Sequence, residues 1–183
     1  MSNTCRIIGI DPGSNTGIAV IYVDTDTCEI TKVSTYNLNL DMLTGDIEYY
    51  RHIKRVGRLV KFAKRLFRWL TPQMICMETA FLNSRFPQAV MALSTYIAAI
   101  NIALYNADII TARRDYPPKL VKSTIGAGGT ATKDDMLLAI TSISELSNCI
   151  DTSILTEHEV DALAIAYIGY REFKQNKLVA YMW

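Results

Sequence analysis

Apolar and polar positions along the chain change period several times, and each change marks an element. From Arg6 to Gly17 the run R-I-I-G-I-D-P-G-S-N-T-G carries apolar and small residues into Asp11, then turns through Pro, Gly, Ser and Asn. A carboxylate therefore stands at the carboxyl end of a buried strand, the edge of an open α/β sheet where ligands collect. Two further β-rich runs, Gly17 to Val23 and Glu29 to Tyr36, flank the polar D-T-D-T-C, which suits a hairpin turn, so the first three strands read as antiparallel. Tyr36 to Gly45 is a polar connection without periodicity.

From Asp46 to Leu70 the spacing becomes helical. Ile53, Val56, Leu59, Val60, Ala63, Leu66, Phe67 and Leu70 recur every three or four residues, opposite an arc of basic residues. Thr71-Pro72 stops this helix, and M-I-C-M-E reads as a short buried strand ending in Glu78. An apolar helix follows from about Gln88 to Tyr105, then D-I-I-T-A as another short strand ending near Arg113 and Arg114. Strands joined through helices run parallel by right-handed crossovers. Pro117 to Ile125 reads as a short helix, and G-A-G-G-T-A-T-K as a flexible loop. Thr132 with Asp135 fits a capping box for a helix through about Leu146, and Thr156 with Glu159 fits another for a last helix to about Phe173. The class is α/β, with a mixed five-stranded sheet, three antiparallel strands then two parallel, flanked by helices.

Composition narrows this picture. At 183 residues, half hydrophobic and a fifth charged, the chain reads as one domain, 1–183, with core enough to fold without a disulfide or structural metal. Its four cysteines are scattered, with no C-x-x-C pair and no secretory h-region at the start, which implies free thiols and a cytoplasmic setting, the host cell's if the chain is virus-encoded. The run from Ala89 to Tyr105 is short for a membrane span and is interrupted by Ser94, Thr95 and Asn101, so a buried or partner-facing helix is expected and no membrane. A net charge of +1 does not announce nucleic acid. Charge distribution does more: Arg51, Lys54, Arg55, Arg58, Lys61, Lys64, Arg65 and Arg68 share one helix face with no acid among them, which reads equally as a solvated face or a phosphate-tracking surface.

If the strands ending in Asp11 and Glu78 are parallel neighbours, ~4.8 Å apart, their carboxylates project side by side. Anions that close repel unless one is protonated or a cation sits between them. On the last helix His158 and Asp161 are three apart and share a face, whereas Glu159 points away and caps. Glu157, four before Asp161, is an alternative ligand on that face. Hard oxygen donors converging from two strands and a helix suit Mg²⁺ or Mn²⁺, two ions ~4 Å apart being able to support phosphodiester hydrolysis. An imidazole among them favours Mn²⁺ tolerance.

Taken together, I-G-I-D-P-G-S, M-E-T-A-F, V-K-S-T-I-G-A-G-G-T-A-T-K and H-E-V-D-A-L-A-I-A resemble, in that order, the RuvC family of Holliday junction resolvases, metal-dependent nucleases of RNase H-like fold. The resemblance implies that Asp11, Glu78, His158 and Asp161 hold two Mg²⁺ or Mn²⁺ ions. It implies that Lys122 and Lys133 face scissile phosphates, with Lys119 a weaker addition, and that Phe81 stacks at the junction's exchange point. Arg55 and Arg58 are candidate DNA contacts. The implied partners are four-way or other branched DNA and a second copy of the chain through the helix after Glu78, with no small-molecule cofactor. The turn D-P-G-S-N-T-G is one residue shorter than the family's usual pattern. Two other readings stay open: a junction-binding protein without catalysis, and an actin-like or sugar-kinase-like ATPase fragment whose phosphate hairpin the first turn also resembles.

Overall fold

The structure, a computed structural model, describes residues 3–40, 48–79, 87–128, 130–151 and 154–180. Five strands, β1 (Thr4–Asp11), β2 (Asn15–Asp24), β3 (Ile30–Asn39), β4 (Met74–Glu78) and β5 (Ala112–Tyr116), form one sheet in the order β3-β2-β1-β4-β5. The first three are antiparallel; β4 runs parallel to β1, and β5 to β4. Helices α1 (Glu48–Leu70), α2 (Pro87–Ala107), α3 (Pro118–Thr124), α4 (Lys133–Thr141), α5 (Ser144–Ser147) and α6 (Glu157–Ala180) cover it.

Strand alternation splits the apolar residues into two cores. Cys5 and Ile7 of β1, Ala19, Ile21 and Val23 of β2, and Met74 and Cys76 of β4 face α6, together with α3, α4 and α5. The intervening Ile8, Ile10, Ile18, Val20, Ile75 and Met77 face α1 and α2. By the same parity, Asp11 and Glu78 belong to the α6 side.

Two glycines set how close α6 comes. A Cβ on Gly9 would overlap the Ala162 carbonyl oxygen and the Ala166 amide nitrogen, and one on Gly17 would overlap the His158 carbonyl. Gly17 is the register partner of Asp11. Backbone thus rests on backbone at the point where β1 ends and α6 begins, and Ala162, Ala164 and Ala166 on the helix leave room for it.

Several boundaries differ from the sequence reading. The last strand is Ala112–Tyr116 rather than D-I-I-T-A. Asp108, at φ 57°, turns the chain out of α2, leaving Ile110 fully exposed; pairing begins only at Ala112, opposite Met74. An edge strand tolerates the charges of A-R-R-D-Y because they pair locally, Arg113 with Asp115 at 3.0 Å and Arg114 with Glu172 at 3.2 Å. The helix read through Leu146 breaks at Ser142, since the Thr141 and Ser142 hydroxyls both donate to the Leu138 carbonyl at 2.9 and 2.7 Å and compete with the helical ladder. β3 runs on to Asn39, and α6 reaches Ala180, past Phe173. Both capping boxes are present, Thr132 with Asp135 and Thr156 with Glu159.

Gly9→Ala should destabilise the protein by about 1–3 kcal/mol or more, because the added methyl meets backbone that cannot rotate away. Gly57→Ala, in an exposed helical turn with nothing within 4 Å, should stabilise by about 0.5–1 kcal/mol. Urea midpoints of the two variants check the pair; equal shifts would contradict the close seating of α6.

Candidate metal centre

The site forms where β1 and β4 end beneath the first turns of α6. Ile10 is level with Met77 in the parallel pair, so the next residues, Asp11 and Glu78, stand side by side at the sheet edge. The Thr156–Glu159 capping box fixes the start of α6, and Gly17 lets that start sit on β2. His158 Nδ1 comes 2.9 Å from Asp11 Oδ2 as a result. Asp161 follows one turn later, on the same face.

The acids feel one another. Burial, followed by the charges of Asp11 and Asp161, pushes the Glu78 carboxyl up to about 7, with Lys122 opposing. Burial, Asp11 and Glu157 push Asp161 up to about 6, against His158 and Lys122. Asp11 is raised chiefly by burial, although its hydrogen bond to His158 works the other way. Partly desolvated carboxylates that hold one another's ionisation back mark a place where positive charge is missing.

Lys122 supplies part of it. Its Nζ donates to the Ala131 carbonyl at 3.0 Å, so the turn of the glycine-rich loop, with Gly126 and Gly128 at φ +83° and +81°, holds the ammonium beside the acids. Lys133, at the first turn of α4, is held at 2.5 Å by Glu157, and their side chains are 74% and 40% exposed. Glu157 therefore has a cationic partner here and contributes to the site as a neighbouring negative charge. Lys119 is exposed on α3. Arg58 is exposed and Arg55 half-buried on α1, on the face of the sheet opposite α6. The structure thus brings Asp11, Glu78, His158, Asp161 and Lys122 together, and sets the two arginines apart from them. Phe81 lies outside the described residues.

The donor set fits a hard divalent cation: carboxylate oxygens dominate, one imidazole joins them, and their mutual repulsion is what a cation relieves. Among the described residues no three such side chains already surround a common point at ligating distance. His158 and Asp11 instead bond to each other. One oxygen escapes the sequence reading. Asn15 Oδ1, two residues before Gly17 on β2, is buried without a hydrogen-bond partner. Only the tertiary position reveals it, since Asn in a turn is ordinarily read as turn chemistry.

Comparison with known proteins adds to this geometry. The family model described as crossover junction endodeoxyribonuclease RuvC matches residues 7–169, from β1 through most of α6. The chain belongs to the RuvC family. Among RuvC relatives, that of Chlorobium phaeobacteroides is 25% identical over 162 residues, 87% of this chain and 78% of that protein. That of Prochlorococcus marinus is 24% identical over 166 residues, 90% and 97% respectively. Thermus thermophilus RuvC in complex with a Holliday junction substrate superposes with TM-score 0.65 at 22% identity, over 88% of this chain and 90% of that one. The yeast mitochondrial Holliday junction resolvase gives 0.62 at 15% identity, over 97% and 83%. These structures share the RNase H-like fold with this chain, and the RuvC match sets aside the kinase-like reading of its first turn.

The raised carboxyls make stability depend on pH. Folded Glu78 and Asp161 keep protons up to about 7 and about 6, whereas in the unfolded chain they lose them near the ordinary values of 4.5 and 3.8. The folded state thus binds more protons between these limits, so stability falls as pH rises through the window and the loss is complete above about 7. The melting temperature of metal-free protein should drop between pH 5 and 7.5. Glu78→Gln should flatten the drop, and Mg²⁺ or Mn²⁺ should raise the melting temperature more at pH 7.5 than at pH 5. A Glu78→Gln protein with the wild-type slope would refute the clustering.

Proposed function

We propose that this protein is a divalent-metal-dependent endonuclease of the cytoplasm that resolves four-way DNA junctions by paired nicks, as a homodimer of single-domain chains. The observation that carries the reading is the convergence of Asp11, Glu78, His158 and Asp161 at one sheet edge, with the acids crowded enough to keep protons near neutrality. Membership of the RuvC family, the crossover junction endodeoxyribonucleases, supports the substrate class.

In this reading Asp11, Glu78, His158 and Asp161 hold two Mg²⁺ or Mn²⁺ ions. When bound, such ions activate water and neutralise charge on the phosphodiester. The remaining roles fall to the chain. Lys122, tethered by the Ala131 carbonyl, presents a fixed positive charge to the phosphate as negative charge develops on it. Lys133, on its exposed ion pair with Glu157, exchanges that partner for DNA phosphate, and Lys119 adds a backbone contact. Phe81, three residues after Glu78 in the sequence, stacks on an unpaired base at the exchange point.

Dimerisation falls to α2. Length and composition alone would let this helix cross a membrane, and only 22% of its most apolar stretch is buried. Tyr96, Ala99, Ile100 and Ala103 already serve the core, while Met91, Ile102 and Tyr105 stand 71%, 52% and 87% exposed. A second copy covers that outer face, and its two-fold axis offers two sites to two symmetry-related strands. Other branched DNA, such as flaps and forks, presents the same unpaired geometry to one site at a time.

A labelled four-way junction with Mg²⁺ or Mn²⁺ tests the reading. Wild type should give paired nicks, and Asp11→Asn should lose them by at least about 100-fold while still binding the junction. Binding without nicks in either ion would identify a junction-binding protein instead. His158→Asp should keep activity and shift the preference toward Mg²⁺, because oxygen replaces nitrogen in the donor set. Unchanged Mg²⁺ and Mn²⁺ profiles would remove His158 from it.

A further inference from the structure

Helix α1 carries eight of the nineteen Lys and Arg residues and one acid, Glu48, which leaves eleven basic and seventeen acidic residues in the rest of the chain. The near-neutral protein is therefore a helix of charge +7 on a body of charge −6. Burial sorts these side chains. Lys54, Arg58, Lys61, Arg65 and Arg68 are exposed at alternating four- and three-residue steps, while Arg51, Arg55 and Lys64 are half-buried beside them. Leu59, Ala63, Leu66, Phe67 and Leu70 hold the opposite face in the core.

Elsewhere several basic residues are neutralised by acids. Arg113, Arg114, Lys133 and Lys174 each pair with a carboxylate. Among the described residues, Arg58, Lys61 and Arg65 have no hydrogen bond or ion pair, and α1 has no acid at helical spacing to supply one. A solvated face stabilised for its own sake is ordinarily laced with opposite charges; this one concentrates repulsion.

The direction of the stripe fits a long polyanion. His52 stacks edge-on against Tyr96, with ring centroids 6.0 Å apart, and Arg68 donates to the Ala107 carbonyl, so α1 and α2 run the same way. Because α2 starts from the side of the sheet where β4 ends in Glu78, α1 also leads away from the edge that carries Asp11. From Lys54 to Arg68 the stripe is about 20 Å long, about six base pairs of duplex.

We propose that the exposed stripe of α1 is a second DNA surface, which tracks the phosphate backbone of a junction arm as it leaves the metal centre. This rests on the junction reading but adds a surface on the other face of the sheet. Contacts of this kind strengthen binding without selecting sequence, and they leave the chemistry at Asp11 unaltered.

The test is the salt dependence of binding to a four-way junction, read in an Asp11→Asn background so that no strand is cut. Arg58→Gln, Lys61→Gln and Arg65→Gln together should flatten the slope of log affinity against log salt by about one for each phosphate no longer neutralised, up to about three. A control that removes the same charge elsewhere, Lys32→Gln, Arg114→Gln and Lys177→Gln, should change the slope by less than about one half, which separates a docking surface from a general field. A slope flattened by less than about one, or no more than in the control, overturns the proposal, and leaves this face to an acidic partner or to solvent. Loss of nicking by the wild type would instead strike the nuclease reading, and the slope would still decide the α1 surface.

Discussion

The site depends on a contact between backbones. Gly17 on β2 and Gly9 on β1 bring the first three turns of α6 against the sheet with no side chain between, and Asp11 lies directly across from Gly17. Every later feature follows from that separation. At ordinary helix-on-sheet distance, with a methyl or larger group interposed, His158 would no longer lie 2.9 Å from Asp11 and Asp161 would move away from Glu78. The alanines of α6 serve the same geometry from the other side, being small enough to pack and helical enough not to fray.

Close seating has an electrostatic cost. It gathers Asp11, Glu78 and Asp161 within one partly dehydrated volume, where Lys122 offsets only part of their repulsion. Such a cluster opposes folding and is retained where a function needs it, which is why sites break the rules that cores obey. The rest of the molecule offsets the strain with two continuous apolar cores. Each is locked to the sheet by alternation, and both are independent of the acids at its edge.

The sheet also divides labour. Its α6 face carries the acid cluster, with α3 and the glycine-rich loop holding Lys122 beside it and α4 presenting Lys133. Its α1 and α2 face carries what reaches outward: an apolar surface on one helix and a basic stripe on the other. Both faces come together at the edge where β1 and β4 end.

Local pattern determined a good deal. Alternation in β1 and β4 put Asp11 and Glu78 on one side of the sheet, two capping boxes fixed where α4 and α6 begin, and helical spacing separated the apolar and basic faces of α1, because each of these is a property of neighbours in the chain. The last strand departs from its local pattern because an edge strand takes its register from its partner rather than from its own hydrophobicity, and Ala112 pairs with Met74 while Ile110 is left in solvent. The break at Ser142 hangs on two hydroxyls finding one carbonyl. The clasp of Lys122 by Ala131, the pairing of Lys133 with Glu157, and the contact of Gly9 and Gly17 with α6 could be decided only in three dimensions. Sequence sets what each segment prefers; which side chains meet depends on distances between segments far apart in the chain, and those exist only once the helix has settled on the sheet.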